Sequence, residues 1–151
     1  MLEYYALRHA RFHPTRANPS DAGIDLPFNP SNFESITIQP GETKILGTGM
    51  KFGISHGYMM QIMNRSSMAA KRQLIVGACV VDAGYNGEVF VNLHNIGSQE
   101  QVIEPGDKIA QGVFIPVVNA RLIEALDDEL YDRNNIVISN RGDGSLGSTG
   151  R

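Results

Sequence analysis

Two aspartates in this 151-residue chain stand in or beside glycine-containing turns, where a carboxylate could be held rigidly enough to do chemistry. Asp82 ends an apolar run, and the ring of Tyr85 follows in the same turn. A carboxylate at a strand end can orient and deprotonate a water molecule, and a neighbouring ring can wall a pocket. In the alternative interpretation, Asp82 only hydrogen-bonds the turn backbone and Tyr85 only packs. Asp25, which follows the turn at Gly23, is the second candidate.

Two segments have the composition of anion-binding sites. Arg65 and the two serines after it precede a predicted helix over 68–72, and helix-start amides combined with hydroxyls and a guanidinium suit phosphate. Ser66 or Ser67 is also the predicted N-cap, so a simple capped helix with a surface arginine stays open. The C-terminal segment 141–150 holds an arginine, glycines and hydroxyls but lacks the ending of a Walker P-loop. Its alternative is a flexible polar terminus.

The carboxylates also bear on which metal could accompany such an anion. Carboxylates near a polyphosphate imply a hard divalent cation, most simply Mg²⁺, and Asp25 and Asp82 are the candidates. Gln111 lies in an otherwise apolar stretch, where it either adds a polar contact or faces outward. The 4 histidines are widely separated, so a zinc site is not predicted.

The elements that must position these residues are short predicted strands. Apolar residues alternate with polar ones over 88–94, which predicts one arm of a central hairpin; its turn contains Asn86-Gly87 and its other arm runs through 76–81. Pro-Gly turns follow the strand-like stretches that end near Ile38 and Ile103. Many short strands with Gly and Pro turns predict an all-β barrel or sandwich. The other predicted elements are strands over 2–7, 35–38, 43–46, 50–54, 58–63 and 109–118, and a helix over about 120–131.

Composition narrows the class of protein. The chain is 42% hydrophobic and 19% charged, which predicts one compact domain, and it has no apolar run of transmembrane length. Its net charge of −3 and its lack of a basic block argue against long nucleic acid as a partner. Its start lacks the apolar core of a signal peptide, and the single cysteine, Cys79, cannot form an internal disulfide. We therefore expect a cytoplasmic location, or the host cytoplasm if the source is viral, with no membrane partner.

Together these segments resemble the trimeric dUTP pyrophosphatases (dUTPases), whose five motifs occur here in order. Ser67 stands where that family usually has glycine, and Lys108 where arginine is common. The resemblance implies an all-β, dUTPase-like distorted β-barrel or jelly roll with one or two short helices and a flexible C-terminal arm. It also implies a β domain over 1–139, with an inserted helix-loop at about 120–139, and a mobile lid motif over 140–151. The matching segments are 22–26, 65–69, 80–89, 106–111 and 141–150.

The resemblance further implies Mg²⁺-dependent hydrolysis of dUTP to dUMP and pyrophosphate by attack of water on the α-phosphorus. Such an activity limits uracil in DNA and supplies dUMP for dTMP synthesis. Asp82 would be the general base, Tyr85 would pack under the deoxyribose and exclude a 2′-hydroxyl, and Asp25 would contact Mg²⁺ through water. The uracil edge would be read by the backbone of Gly77, Ala78, Cys79 and Val80.

The remaining substrate contacts that the resemblance implies lie mainly around the triphosphate. Sites would draw on three chains of a homotrimer, and the tail of one chain would close over the γ-phosphate in a neighbour's site. Leu146 stands where the family has an aromatic ring and would cover the base. Segment 127–140 departs from the family because it is longer than the usual link to the fifth motif, and we interpret it as an inserted helix-loop that could make extra subunit contacts or bind a further partner. The implied residues are Arg65, Ser66, Ser67, Gln111, Arg141, Gly144, Leu146, Gly147, Ser148 and Thr149.

Two other functions stay open on the sequence alone. One is a same-fold enzyme that deaminates dCTP, which a dCTP turnover assay separates from dUTP hydrolysis. The other is a binding or regulatory protein built on this scaffold, which predicts nucleotide or protein binding that survives loss of catalysis.

Overall fold

The computed structural model describes residues 2–125, and the elements in this part of the chain are short. Apolar residues at every second position give most strands one face for the core, and Gly or Pro turns end them. The elements are β1 (Glu3–Ala6), β2 (Gly23–Pro27), β3 (Ile36–Ile38), β4 (Thr43–Gly47), β5 (Met50–Gly53), β6 (Tyr58–Met63), α1 (Ser66–Arg72), β7 (Leu74–Val76), β8 (Val80–Val81), β9 (Phe90–Asn95), β10 (Gln101–Ile103) and β11 (Lys108–Pro116).

The strands form four antiparallel sheets. β11 lies between β2 and β6, and β6 also pairs with β8, which gives a four-stranded sheet of order β2-β11-β6-β8. β9 lies between β4 and β7, while β1-β5 and β10-β3 are two-stranded sheets. The predicted all-β class is confirmed. Within residues 2–125 the sheets form a distorted jelly roll and do not close into a barrel.

The apolar faces of these sheets enclose one core, which lies in the unit that ends at Val118. Strands from all four sheets contribute, so no single sheet can bury its face alone. Full burial of one such side chain stabilises the fold by roughly 1.5–3 kcal/mol. The residues with no exposed surface include Leu26, Ile38, Met50, Met60, Leu74, Leu93, Ile103 and Ile109.

The two predicted Pro-Gly turns are confirmed, and each moves the chain from one sheet to another. Gly41 and Gly106 have φ angles of 76° and 92°, which glycine adopts without steric cost. The first turn leads from β3 to β4, and the second leads from β10 to β11. At the first turn the Lys44 ammonium, 2.5 Å from Glu42, and the N–H of Gln39 lower the pKa of the Glu42 carboxyl.

The predicted central hairpin is confirmed only at the start of its first arm. Val76, in β7, pairs with Leu93 of β9, and β9 also pairs with β4, but β8 pairs with β6, so the first arm is divided between two sheets. Left-handed backbone occurs at Gly84, with φ of 80°, and not at Asn86 or Gly87. Gly87 serves a different purpose, because the phenol of Tyr85 lies where its Cβ would be. Apolar alternation is the same for a hairpin and for strands of two sheets, so it could not separate these arrangements.

The first predicted helix is confirmed as α1, but its cap is not the predicted serine. Arg65 occupies the N-cap position with extended backbone and no side-chain capping hydrogen bond, so Ser66 and Ser67 lie inside the first turn. At the other end, Arg72 hydrogen-bonds to β10 and to the turn after it. Tertiary contacts therefore hold this short helix more than its cap does.

The second predicted helix is not formed where the structure describes it. Residues 119–125 have no regular secondary structure, and the side chains of Leu122 and Ile123 are 95% and 71% exposed. Helical spacing of apolar residues forms a stable helix only when a surface buries them. The rest of this helix, the insertion and the lid motif lie outside the described residues. No helix between residues 2 and 125 is long and apolar enough to span a membrane.

The amide of Asn29, only 3% exposed, joins the segment before β2 to the end of β4. Its oxygen accepts the N–H groups of Arg11 and Phe12 at 3.0 Å each. Its nitrogen donates to the carbonyls of Phe12 at 2.9 Å and Thr48 at 2.7 Å. Buried polar groups that lose their partner cost about 1–3 kcal/mol each.

We predict that Asn29→Ala lowers the free energy of unfolding by about 3 kcal/mol, because it leaves several buried or partly buried backbone groups without partners. Urea denaturation followed by circular dichroism measures this change. The matched control is Asn32→Ala, since Asn32 is exposed and its side chain bonds only Glu34 among the residues that the structure describes. Equal stabilities of the two variants would contradict the role given to Asn29.

Candidate active site

Three of the predicted residues meet at one edge of the four-stranded sheet. The register of β11 places Gln111 opposite Asp25 of β2 and opposite Met63 at the end of β6. Arg65, which follows β6, donates from Nε to Asp25 Oδ1 at 2.7 Å. Gln111 donates from Nε2 to the carbonyl of Asn64 at 2.8 Å. Strand pairing alone therefore brings a carboxylate, a guanidinium and an amide together.

Lys108 completes this cluster, although it was not among the predicted site residues. Its Nζ lies 2.9 Å from Asp25 Oδ2, and its carbonyl accepts a hydrogen bond from Arg65 Nη1 at 2.9 Å. The side chain of Asp25 is 14% exposed, so its charge is compensated by two cations in a partly desolvated place. The sequence signal was present, since Lys108 belongs to the segment 106–111, but spacing alone could not pair it with Asp25.

A glycine in β2 makes room for this arrangement. A Cβ at Gly23 would lie within 2.8 Å of Cδ in the Gln111 side chain. Gln111 therefore crosses the neighbouring strand at a point where only hydrogen fits. This close approach is the physical reason for a glycine beside Asp25.

The cluster has the charge and donor pattern of a polyphosphate site. Two cations surround one carboxylate, which leaves a net charge of +1, and Ser66 and Ser67 lie exposed next to Arg65. Guanidinium and ammonium groups bind phosphate oxygens strongly, and exposed hydroxyls add donors. Within residues 2–125 no group of three or more His, Cys, Asp or Glu side chains could hold a metal. A Mg²⁺ ion fits this site if it arrives with phosphate oxygens and meets Asp25 through water.

Asp82 and Tyr85 lie together in a second place, the turn between β8 and β9. Asp82 is exposed, and its carbonyl accepts the N–H of Tyr85 at 3.3 Å. The Tyr85 hydroxyl donates to the carbonyl of Glu88 at 2.9 Å, and its ring is about half exposed. A cavity of about 200 Å³ is lined by Val80, Val81, Asp82, Tyr85, Glu88, Val89 and Phe90. An exposed carboxylate beside a fixed ring in an apolar hollow suits a sugar and an attacking water.

The predicted base-reading backbone, Gly77 to Val80, crosses from β7 to β8. Residues 77–79 have no regular secondary structure, and Cys79 is only partly buried. The N–H of Gly77 donates to the carbonyl of Asn92 at 2.9 Å. The buried Oδ1 of Asn92, close to Gly77, has no donor among residues 2–125. The last residue of this crossing, Val80, lines the cavity.

The structure does not bring every predicted residue into one place. Among residues 2–125, no hydrogen bond or ion pair joins the turn of Asp82 and Tyr85 to the cluster around Asp25. The other predicted contacts, Arg141, Gly144, Leu146, Gly147, Ser148 and Thr149, lie outside the described residues. The predicted residues between 2 and 125 thus form two separate groups, one around Asp25 and one around Asp82 and Tyr85.

Known proteins with a similar sequence share one name. Residues 11–150 match the family model described as dUTPase. The chain is 38% identical over 152 residues to the deoxyuridine 5'-triphosphate nucleotidohydrolase of Nautilia profundicola, and the match covers 99% of each chain. A protein of the same name from Chromobacterium violaceum is 38% identical over 141 residues, which covers 91% of this chain and 87% of that one.

Solved structures with the same fold carry a related description. A dUTPase of Staphylococcus bacteriophage 80alpha with dUpNHpp matches with a TM-score of 0.83 and 25% identity, over 100% of this chain and 99% of that one. The dUTPase of phage phi11 of S. aureus, described with a structural Mg(II) ion, matches with a TM-score of 0.75 and 24% identity. That match covers 85% of this chain and 99% of the phage protein, and it shows that the two proteins have a similar fold.

We predict that Lys108→Met weakens binding of inorganic tripolyphosphate by about tenfold or more, because it removes a cation and leaves Asp25 less compensated. Lys108→Arg keeps the charge and should bind nearly as well as the wild type. Lys71→Met is the matched control, because Lys71 is exposed and forms no ion pair among residues 2–125. Isothermal titration calorimetry measures the affinities, and unchanged binding by Lys108→Met would remove Lys108 from the site.

Proposed function

The chain belongs to the dUTPase family and is a dUTP nucleotidohydrolase, and we propose that it cleaves dUTP by attack of water on the α-phosphorus in an Mg²⁺-dependent reaction. The products are dUMP and pyrophosphate, so the activity limits uracil in DNA and supplies dUMP for dTMP synthesis. One observation carries the mechanism: the cluster of Asp25, Arg65, Lys108 and Gln111 offers phosphate ligands at one sheet edge. Phosphoryl transfer depends on such positioning and charge neutralisation more than on covalent chemistry.

In this mechanism Asp82 is the general base. Its carboxylate lines the cavity beside Tyr85 and is exposed, so a water molecule can reach it. It has no ion-pair partner among residues 2–125, which leaves its oxygens free to accept a proton. A positioned base of this kind contributes about 10²–10⁴-fold to the rate.

Tyr85 and the backbone of 77–80 select the nucleoside. The Tyr85 ring packs under the deoxyribose and leaves no space for a 2′-hydroxyl. The peptide groups of Gly77 to Val80 hydrogen-bond the uracil edge, and a base with a different donor pattern leaves them unpaired. This role is supported by Val80, the last residue of that segment, which lines the cavity beside Asp82 and Tyr85.

The triphosphate binds the Asp25 cluster, in which Arg65, Ser66 and Gln111 hold phosphate oxygens. Asp25 would hold a Mg²⁺ ion through water, and that ion would supply further charge neutralisation to the triphosphate. The ion of the phi11 relative is described as structural, so the support for a substrate-bound ion here is the Asp25 carboxylate, an oxygen donor beside two cations that bind phosphate. Arg141, Ser148 and Thr149 close over the γ-phosphate, and Leu146 covers the base.

The complete site requires more than one copy of the chain. The nucleoside half and the phosphate half are separate in a single chain as described, since no hydrogen bond or ion pair joins them between residues 2 and 125. Homotrimeric assembly with shared sites accounts for this separation. A segment over 140–151 that acts as a lid excludes water from the assembled site.

The deciding experiment measures pyrophosphate release from dUTP, dCTP, dTTP and UTP, with Mg²⁺ and with a chelator. We expect Mg²⁺-stimulated release from dUTP alone. We predict that Asp82→Asn keeps affinity for the non-hydrolysable dUpNHpp while turnover falls by about 10²–10⁴-fold. Unchanged turnover in Asp82→Asn would contradict the assignment of the base. Release of ammonia from dCTP would favour a deaminase, and nucleotide binding without any turnover would favour a binding module.

A truncation tests the proposed lid. Deleting residues 141–151 should leave the thermal unfolding midpoint and the oligomeric state unchanged while dUTP turnover is nearly lost, because the γ-phosphate loses an arginine and two hydroxyls. Turnover and thermal unfolding of the same preparation measure the two effects. A truncated protein that unfolds would show that this segment is needed for folding and is not only a lid.

A further inference from the structure

The position of the Tyr85 ring is set by the backbone of Glu88. The Tyr85 hydroxyl donates to the Glu88 carbonyl at 2.9 Å, and the phenol lies directly over Gly87. The ring is about half exposed, so few side chains hold it on the cavity side. Any displacement of Glu88 therefore moves the ring that forms one wall of the cavity.

The side chain of Glu88 ties this backbone to another sheet. Its Oε1 accepts the N–H of Gly49 at 2.7 Å, in the turn between β4 and β5. Gly49 has a φ of 69°, and a Cβ there would lie 3.0 Å from the Cβ of Asn29. The anchor is therefore a rigid turn that itself packs on a buried residue.

Neighbouring hydrogen bonds strengthen the same connection. The Thr48 hydroxyl donates to the carbonyl of Val89 at 2.6 Å, and the Val89 N–H donates to the carbonyl of Met50 at 2.8 Å. Thr48 has no exposed surface. Segment 48–50 therefore holds residues 88 and 89 through hydrogen bonds. Of these two residues, Glu88 also contacts Tyr85.

The Glu88 carboxylate acts as an acceptor and has no need of its charge for this contact. It forms no ion pair among residues 2–125, and its Oε1 lies against Gly47, where a side chain would collide. A backbone N–H bonds a carboxylate or an amide oxygen with similar geometry. Glutamine at position 88 should therefore keep the hydrogen bond to the Gly49 N–H, whereas alanine should lose it.

We propose that Glu88 is a positioning residue that sets sugar selectivity by holding Tyr85 against the deoxyribose. The inference rests on the proposed function, in which Tyr85 excludes the 2′-hydroxyl. A wall rejects one added hydroxyl only if it cannot yield, and displacements near 1 Å change rates strongly. Glu88 thus governs the choice between dUTP and UTP without touching phosphate.

The test compares kcat and KM for dUTP and UTP in Glu88→Ala, Glu88→Gln and the wild type. We expect Glu88→Ala to lower the selectivity ratio, which is kcat/KM for dUTP divided by kcat/KM for UTP, by about tenfold or more. The variant should gain activity on UTP and show a raised KM for dUTP. Glu88→Gln should keep the ratio within about threefold of the wild type. Glu100→Ala is the matched control, because Glu100 is exposed and its side chain bonds only Gln39 within the described part of the chain.

Selectivity unchanged in a folded Glu88→Ala enzyme would overturn the proposal. Loss of turnover in Glu88→Gln, with an altered pH profile, would also overturn it and would make Glu88 a second acid–base group. If Glu88→Ala does not fold, Glu88→Asp replaces it, since the aspartate carboxylate is one methylene too short to reach Gly49. Unchanged selectivity for dUTP over UTP in Glu88→Asp would also overturn the proposal. A wild type that cleaves no dUTP would instead refute the proposed function.

Discussion

The pairing of β11 with both β2 and β6 is the constraint on which the phosphate half of the site depends. That register sets Gln111 opposite Asp25 and next to the strand end that leads to Arg65. Because backbone hydrogen bonds fix the register, the cationic groups converge before any ligand is present. A slip of one residue would turn Gln111 to the other face of the sheet and separate it from the cluster.

The nucleoside half depends on a different kind of restraint. The turn that carries Asp82 and Tyr85 belongs to no regular element, so local strand pairing cannot position it. Hydrogen bonds from segment 48–50 to Glu88 and Val89 take over this task. The two halves are thus held by separate means, one by sheet register and one by turn-to-turn bonds, and can be perturbed independently.

Most strand positions could be predicted from apolar alternation, and the residues of the phosphate cluster from the order of their motifs. The ion pair between Lys108 and Asp25 could not, because it follows from a strand register that spacing does not reveal. The sheet assignment of β8 and β9 also escaped prediction, since alternation describes one strand and not its neighbour. The extended backbone of Arg65 at the start of α1 was missed because serine is the stronger N-cap by residue type.

The turns at Gly41 and Gly106, which pass the chain from sheet to sheet, have a consequence for folding. Strand partners are mostly distant in sequence, so their pairing closes long loops, which predicts slow folding. Asp25, Arg65 and Lys108 become neighbours only when three distant segments have paired. Under the proposed function, a polyphosphate ligand therefore binds the native state and not partly folded chains. By linkage, ligand at about 100 times its Kd adds about 2.7 kcal/mol to the stability of the domain.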